Sequence, residues 1–400
     1  MKNMSQYKKF ILYFFLFSCM AVFILPITNI YIDRYRVFNA VINHKYDTYY
    51  WRKDGKWEFN HNDRIIPMSF LLNNKHKFDS FIFGNSKIGD MDVRQLGPTW
   101  YKLNYNSANM TEHLHNAKLL IKNINVKNII LTVDLEYFYD LELSTQYKKS
   151  VYPSNTLAWF YFYRKYLFKR IDTKDINFLF HKDYNIVQKT DYFIRTKSND
   201  NRLFIASNSH LKHVNKLTGL RYKETTFVDN KISKTLSMIK ELKFICKQKG
   251  INFTMLFVPF HYKNMLQANP NVINHIKKEL VSIDSFYDFT LPHNYLVNNA
   301  FWRETFHYTK ALNDDIIRKL KHEDEICPKF GTLLTPKNID LKLKESFSLY
   351  QEILPSLLQK DQQFFPHPLF KKKTNTPILS INSDKIRKNC LNYYLVKENK

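Results

Sequence analysis

The sequence predicts an α/β protein of three layers, a mostly parallel sheet with helices on both faces, preceded by one transmembrane helix. Three observations carry this. Short apolar runs alternate with stretches of helical periodicity from about residue 78 to residue 320, the order that builds a parallel sheet. Three of only seven glycines, Gly84, Gly89 and Gly97, crowd behind the first apolar run, as a tight strand-to-helix turn requires. Near the N-terminus, Phe10 to Ile32 gives 23 residues without a charge, and a bilayer core needs about 20.

The N-terminal stretch reads as an uncleaved anchor. At about 1.5 Å per residue it spans a bilayer. It is too long for the apolar part of a signal peptide, and no small-residue cleavage site follows. Lys2, Lys8 and Lys9 precede it, while Asp33, Arg34 and Arg36 follow. Both flanks are basic, so charge alone does not orient it. The short head at 1–9 cannot hold a domain, which places the bulk of the chain outside the cytoplasm. Residues 33–74, with Trp51 and Trp57 among charges, read as a juxtamembrane stalk.

The main domain is expected over 75–325. Ser80 to Phe83 is a strand that Gly84 interrupts, with Ser86 two residues on. A serine there lies at the carboxyl end of a strand, where open α/β sheets bind ligands. It can equally cap a helix. Asp92 to Leu96 reads as a short helix. Tyr101 to Tyr105 is a second strand, followed by Asn106 and Asn109 with Asn104 inside it. Thr111 is the expected cap of a helix carrying Leu114, Ala117, Leu120, Ile121 and Ile124 on one face. Val126 to Val133 is a third strand ending at Asp134 and Glu136. Beyond it, 140–228 is irregular. Its aromatic, basic stretch Leu157 to Phe168 reads as a core helix, a membrane-facing helix or part of a cleft.

Regularity returns at Asp229 or Asn230, either of which can cap a helix with Ile232, Leu236, Ile239, Leu242 and Cys246 on one face, ended by Gly250. Asn252 to Val258 is the fourth strand, Val272 to Ile283 a helix, and Phe286 to Phe289 a short strand. The segment Glu304-Thr305-Phe306-His307 then leads into a helix over 309–320. Residues 326–400 read as a basic C-terminal extension with Lys371 to Lys373 beside prolines and aromatics, suited to lipid head groups or a polyanion.

Composition narrows the partners. Net charge is 61 − 36 = +25, which favours anionic glycan or a lipid surface. Nothing matches a zinc finger, a basic zipper or an RNA-binding signature, so no nucleic acid is expected. Four cysteines include Cys19 inside the anchor. The three others leave one unpaired, so no disulfide framework is implied. His210 and His213 have helical spacing but no further ligand nearby, and His113 and His115 point to different helix faces.

Taken in order, FIFGNSK (81–87), LNYNSANMTE (103–112), IILTVDLEYF (129–138), FTMLFVPFH (253–261), FYDF (286–289) and ETFHY (304–308) resemble the SGNH/GDSL hydrolase superfamily. They are most similar to its membrane-anchored bacterial branch, whose members act in alginate O-acetylation and teichoic acid D-alanylation. The resemblance implies a flavodoxin-like sheet in the bacterial inner membrane's outer compartment, with Ser86 as nucleophile and His307 as base. Glu304 stands where the family's motif has aspartate. Asn104, Asn106 or Asn109 stands where it has its second-block glycine, in reach of an oxyanion. The third-block asparagine is not evident, since that strand ends in Asp134-Leu135-Glu136. The implied activity is acyl-ester hydrolysis or O-acyl transfer on a cell-envelope glycan, with no cofactor or metal, and for transfer a multi-span membrane acyltransferase as donor partner. The alternative is a non-catalytic accessory protein that binds glycan or that acyltransferase.

Overall fold

A computed structural model describes residues 6–33, 37–38, 64–89, 91–105, 107–138, 151–180, 229–261, 264, 269–291, 294–297, 301–302, 306–308, 310–322 and 330–348. Most of the stalk, the pair His210 and His213, and 349–400 lie outside these residues. In chain order the elements are α1 (Gln6–Ile32), α2 (Ile65–Asn73), β1 (Ser80–Asn85), β2 (Trp100–Tyr105), α3 (Met110–Asn123), β3 (Asn128–Val133), α4 (Thr156–Leu167), α5 (Thr173–Phe180), α6 (Asp229–Gln248), β4 (Asn252–Phe257), α7 (Pro270–Ile283), β5 (Phe286–Asp288), α8 (Lys310–Leu320) and β6 (Thr332–Leu334). They fall into two compact units, Met1–Asn74 with Ser144–Gln188, and Lys75–Leu143 with Lys189–Lys400.

The first unit holds α1, which is long and apolar enough to cross a membrane. Only its last turns are covered, at Pro26, Asn29 and Ile32. There α1 packs on α4 and α5. The small core of this unit joins Val37, Phe38, Ile65 and Phe162, with Trp159, Tyr163 and Tyr166 against it.

The second unit is built on a six-stranded sheet of order β2-β1-β3-β4-β5-β6. The first five strands are parallel and β6 runs antiparallel to β5. Residues 332–334, assigned from sequence to the C-terminal extension, therefore close the sheet. Direction across the sheet reverses at β1, between β2 and β3. Right-handed crossovers then put α3, α6 and α7, which pack side by side, on one face. They put the β1–β2 connection on the other, where Gln95 Nε2 donates to Asp314 Oδ1 of α8 at 2.9 Å. The three layers expected from the alternation are thus present.

Local chemistry explains the differences from expectation. α3 is capped by Asn109, not Thr111: Asn109 Oδ1 accepts from Glu112 N and Glu112 Oε2 accepts from Asn109 N, both at 3.1 Å, a capping box. On α6 the deep position is Thr235 rather than Leu236, because its hydroxyl donates to Tyr137 O at 2.8 Å. Gly250 ends α6 at φ +66°, and Ile251 N returns to Cys246 O at 2.9 Å as a left-handed C-cap requires. Asp92 to Leu96 is a single 3-10 turn, Val93–Gln95.

Gly84 differs most. It lies inside β1, every residue of which is buried, and its value is closeness rather than positive φ. A Cβ there would collide with Thr132 Oγ1 and lie 2.6 Å from Ile88 Cδ1. Thr132 cannot easily retreat, since its hydroxyl donates to Phe83 O at 2.9 Å. Gly84→Ala is expected to cost about 1–3 kcal/mol through overpacking, read as a lowered Tm in thermal unfolding. An unchanged Tm would show that β1 and β3 have room to spread.

Candidate active site

β1 ends at Asn85, whose backbone is extended and whose side chain accepts from Lys87 N at 3.0 Å. This caps a one-turn 3-10 helix, Ser86–Ile88. Ser86, half-buried, is lifted clear of the strand at the β1/β3 reversal. Such a reversal opens a crevice at the carboxyl ends of the strands. His307, also half-buried, comes from a segment 221 residues later. Its neighbours Phe306 and Tyr308 are buried, and Tyr308 bridges back to Trp302. Ser86 Oγ and His307 Nε2 are 2.7 Å apart. That is hydrogen-bond reach for a hydroxyl nucleophile and an imidazole base.

The residues on either side of Ser86 converge on one carboxylate. Asn85 Nδ2 donates to Asp134 Oδ2 at 2.7 Å. Lys87 Nζ lies 2.6 Å from the same oxygen, with side chains 2% and 1% exposed. Asp134 Oδ1 accepts from Glu136 N at 3.0 Å. The Lys87 ammonium also sits 4.1 Å over the Phe260 ring, a cation–π contact. A lone charge at this depth would be strongly disfavoured, so each partner depends on the other. A second lysine holds the next part of the loop: Lys102 Nζ donates to Gly89 O at 2.6 Å and Met91 O at 2.7 Å. The turn that carries Ser86 is therefore pinned by two buried ammonium groups.

Asp134 shapes its surroundings. Burial first, and then its negative charge, push the Tyr308 phenol well above its ordinary pKa. The Tyr137 phenol rises for the same two leading reasons. Both therefore stay neutral hydroxyls at any working pH. Tyr137 OH meets His113 Nε2 at 2.9 Å, which accounts for that histidine as a core residue. No group of His, Cys, Asp and Glu fit to hold a metal occurs among the described residues.

The structure thus brings together Ser86 and His307. Asn104 lies half-buried on β2, paired in register with Gly84. Asn109 caps α3 with its side-chain oxygen. Glu304 and Asn106 lie outside the described residues. Sequence reasoning missed the Asn85–Lys87–Asp134 bracket. A lysine inside an otherwise buried turn, with an aspartate ending the next strand across the reversal, was its available signal.

The chain matches no protein family and no curated protein. Among solved structures it is similar to a Bacteroides fragilis NCTC 9343 protein assigned as an acylhydrolase, at 10% identity and TM-score 0.31, over 68% of this chain and 94% of that one. It is also similar to a Streptococcus pneumonia protein assigned as a platelet activating factor, at 11% identity and TM-score 0.33, over 64% and 89%. Likenesses this weak bear no argument about the chain.

The bracket can be tested by a cycle. Lys87→Met alone strands a buried carboxylate and is expected to cost about 3–5 kcal/mol of stability. Lys87→Met with Asp134→Leu should recover much of that loss, because no charge is then left unpaired. Denaturant unfolding of the wild type, Lys87→Met, Asp134→Leu and the double variant checks it. Strictly additive losses would mean the two side chains do not interact.

Proposed function

We propose that the protein is a single-pass, membrane-anchored serine acyl-esterase or O-acyltransferase of the SGNH/GDSL type, acting on a cell-envelope glycan from the extracytoplasmic side. The observation that supports it is the 2.7 Å contact between Ser86 Oγ and His307 Nε2 at the carboxyl edge of a sheet whose parallel strands are ordered 2-1-3-4-5. The apolar α1 supports the anchor, and a net charge of +25 suits an anionic glycan or lipid surface.

In this reading His307 Nε2 takes the Ser86 proton as Oγ attacks the acyl carbonyl carbon. The C–O bond to the donor alcohol breaks, and the histidine returns the proton to that oxygen. The acyl group then rests on Ser86 as an ester. Water or a glycan hydroxyl attacks it, giving up a proton to His307, and Oγ leaves with a proton restored. Glu304 is assigned the imidazole's other nitrogen, which fixes the tautomer and stabilises the cation. Asn104, beside Gly84, is assigned the oxyanion; one such donor contributes about 3–4 kcal/mol. For transfer, a multi-span membrane acyltransferase would deliver the acyl group.

One observation favours a second reading. The third-block position is Asp134, whose side-chain oxygens are engaged by Lys87 and Asn85 and which lacks the amide N–H that an asparagine would aim at an oxyanion. An accessory protein without turnover, binding glycan or the acyltransferase, would tolerate that.

Kinetics on an acetyl ester separate the two. Ser86→Ala and His307→Ala are each expected to lower kcat/KM by at least about 10³-fold, with the double variant little worse, because such residues act as one unit. Glu304→Gln should cost less. Loss of glycan acylation in a Ser86→Ala strain without hydrolysis in water would assign transfer. Unchanged glycan acylation in that strain, with no turnover by the wild type, would leave the accessory reading.

A further inference from the structure

We propose that the outer face of α4, continued by α5, lies in the membrane interface and binds anionic phospholipid. This rests on the reading of α1 as a membrane span.

α4 is apolar on two sides. Its inner side, Trp159, Phe162, Tyr163 and Tyr166, packs on Val37, Phe38 and Ile65, with Tyr163 stacked on Phe38 at 5.6 Å. Its outer side follows the same spacing with Leu157, Phe160, Tyr161 and, just past the end, Phe168, between 53% and 62% exposed. α5 adds Ile176 and Phe180, at 47% and 74%. A helix apolar all round belongs in a core or in lipid, and this one has a core on one side only. Exposed apolar patches of this kind mark a binding surface.

The level of the patch along α1 is fixed. Asn29 Nδ2 donates to Leu167 O and to Lys169 O, both at 2.8 Å, so the end of α4 and the residues just past it are held against the last turn of α1. An asparagine amide in lipid needs such partners. At the same level the uncovered side of α1 shows Ile27, Ile30 and Tyr31, at 63%, 46% and 77% exposure. Any bilayer that receives α1 meets the end of α4 where α1 leaves it. An exposed tyrosine marks that boundary.

The charges suit head groups rather than a protein core. α4 has no acidic residue, and Arg164 and Lys165 close its last turn. Arg170 is exposed just beyond. Of the two acidic groups that follow, Asp172 is exposed near Lys169 and Asp175 is buried against the same lysine, so Arg164, Lys165 and Arg170 still outnumber the exposed acid. Aromatics with cations on one helix describe an interfacial segment, and each exposed cation adds attraction to an anionic leaflet.

The test uses the full-length chain, with native cysteines replaced, in vesicles of phosphatidylethanolamine and phosphatidylglycerol. An environment-sensitive fluorophore is placed singly at Phe160→Cys, with Leu157→Cys as its repeat, Phe14→Cys on α1 as the membrane control and Lys247→Cys on α6 as the aqueous control. At 160 and 157 the expected result is blue-shifted emission, quenching by a nitroxide lipid labelled near the head group, and loss of iodide quenching relative to 247. Replacing phosphatidylglycerol with phosphatidylcholine should weaken the shift at 160, and Arg164→Gln should do likewise. If 14 is lipid-quenched while 160 and 157 behave as 247 does, the inference is overturned and the anchor stands. If 14 itself is iodide-quenched, α1 is no span and both fall together.

Discussion

The buried carboxylate of Asp134 is the point on which the carboxyl edge of the sheet around Ser86 depends. It directly follows β3, and it receives both residues that bracket Ser86 at the end of β1, Asn85 by an amide and Lys87 by an ion pair. Two strand ends are thereby tied across the place where the sheet reverses direction. A serine on a one-turn helix would otherwise have considerable freedom. Here its neighbours are fixed in depth and rotation, and its hydroxyl arrives 2.7 Å from His307. The arrangement has a price in desolvation, which the ion pair, the Asn85 amide and the Phe260 ring together offset. A similar pair closes β5, where Lys277 of α7 meets Asp288 at 2.7 Å and Thr290 at 2.7 Å. Buried lysine–aspartate pairs are thus used twice to hold helix or loop against the sheet's carboxyl edge.

The sheet was legible in the sequence because its strands are buried on both faces. Runs such as FIF at 81–83 and IILTV at 129–133 are near-continuous apolar segments, as parallel strands covered by helices must be. α3 and α6 declared themselves by 3.6-residue spacing, and the end of α6 by Gly250. Caps were less legible. Asn109 and Thr111 are both good N-cap residues, and the choice between them is made by Glu112, which completes a capping box only with Asn109. β6 was not legible: three residues paired to a three-residue β5 carry too little periodicity to be seen.

The site was legible in part. Ser86 stood out through the glycines behind it, and His307 through the ETFHY segment that precedes α8. The function of Gly84 was misread as a turn, since close approach to Thr132 and Ile88 depends on where β3 lies and leaves no local trace. The bracket left only a faint signal for a related reason. Lys87 reads as a surface residue in any linear view, and only the parallel register of β1 and β3 brings it to Asp134. The first unit shows the same limit: nothing local ties Asn29 in an apolar helix to carbonyls at 167 and 169.

The central claim is that Ser86 is a nucleophile activated by His307. Its most direct measurement is covalent: incubate the full-length protein with a fluorophosphonate, digest it, and locate the adduct by mass spectrometry. The account predicts one adduct, on Ser86, whose formation slows sharply in His307→Ala, because a serine hydroxyl is weakly nucleophilic without its base. A folded protein that takes no label, or takes it at equal rate without His307, would contradict it.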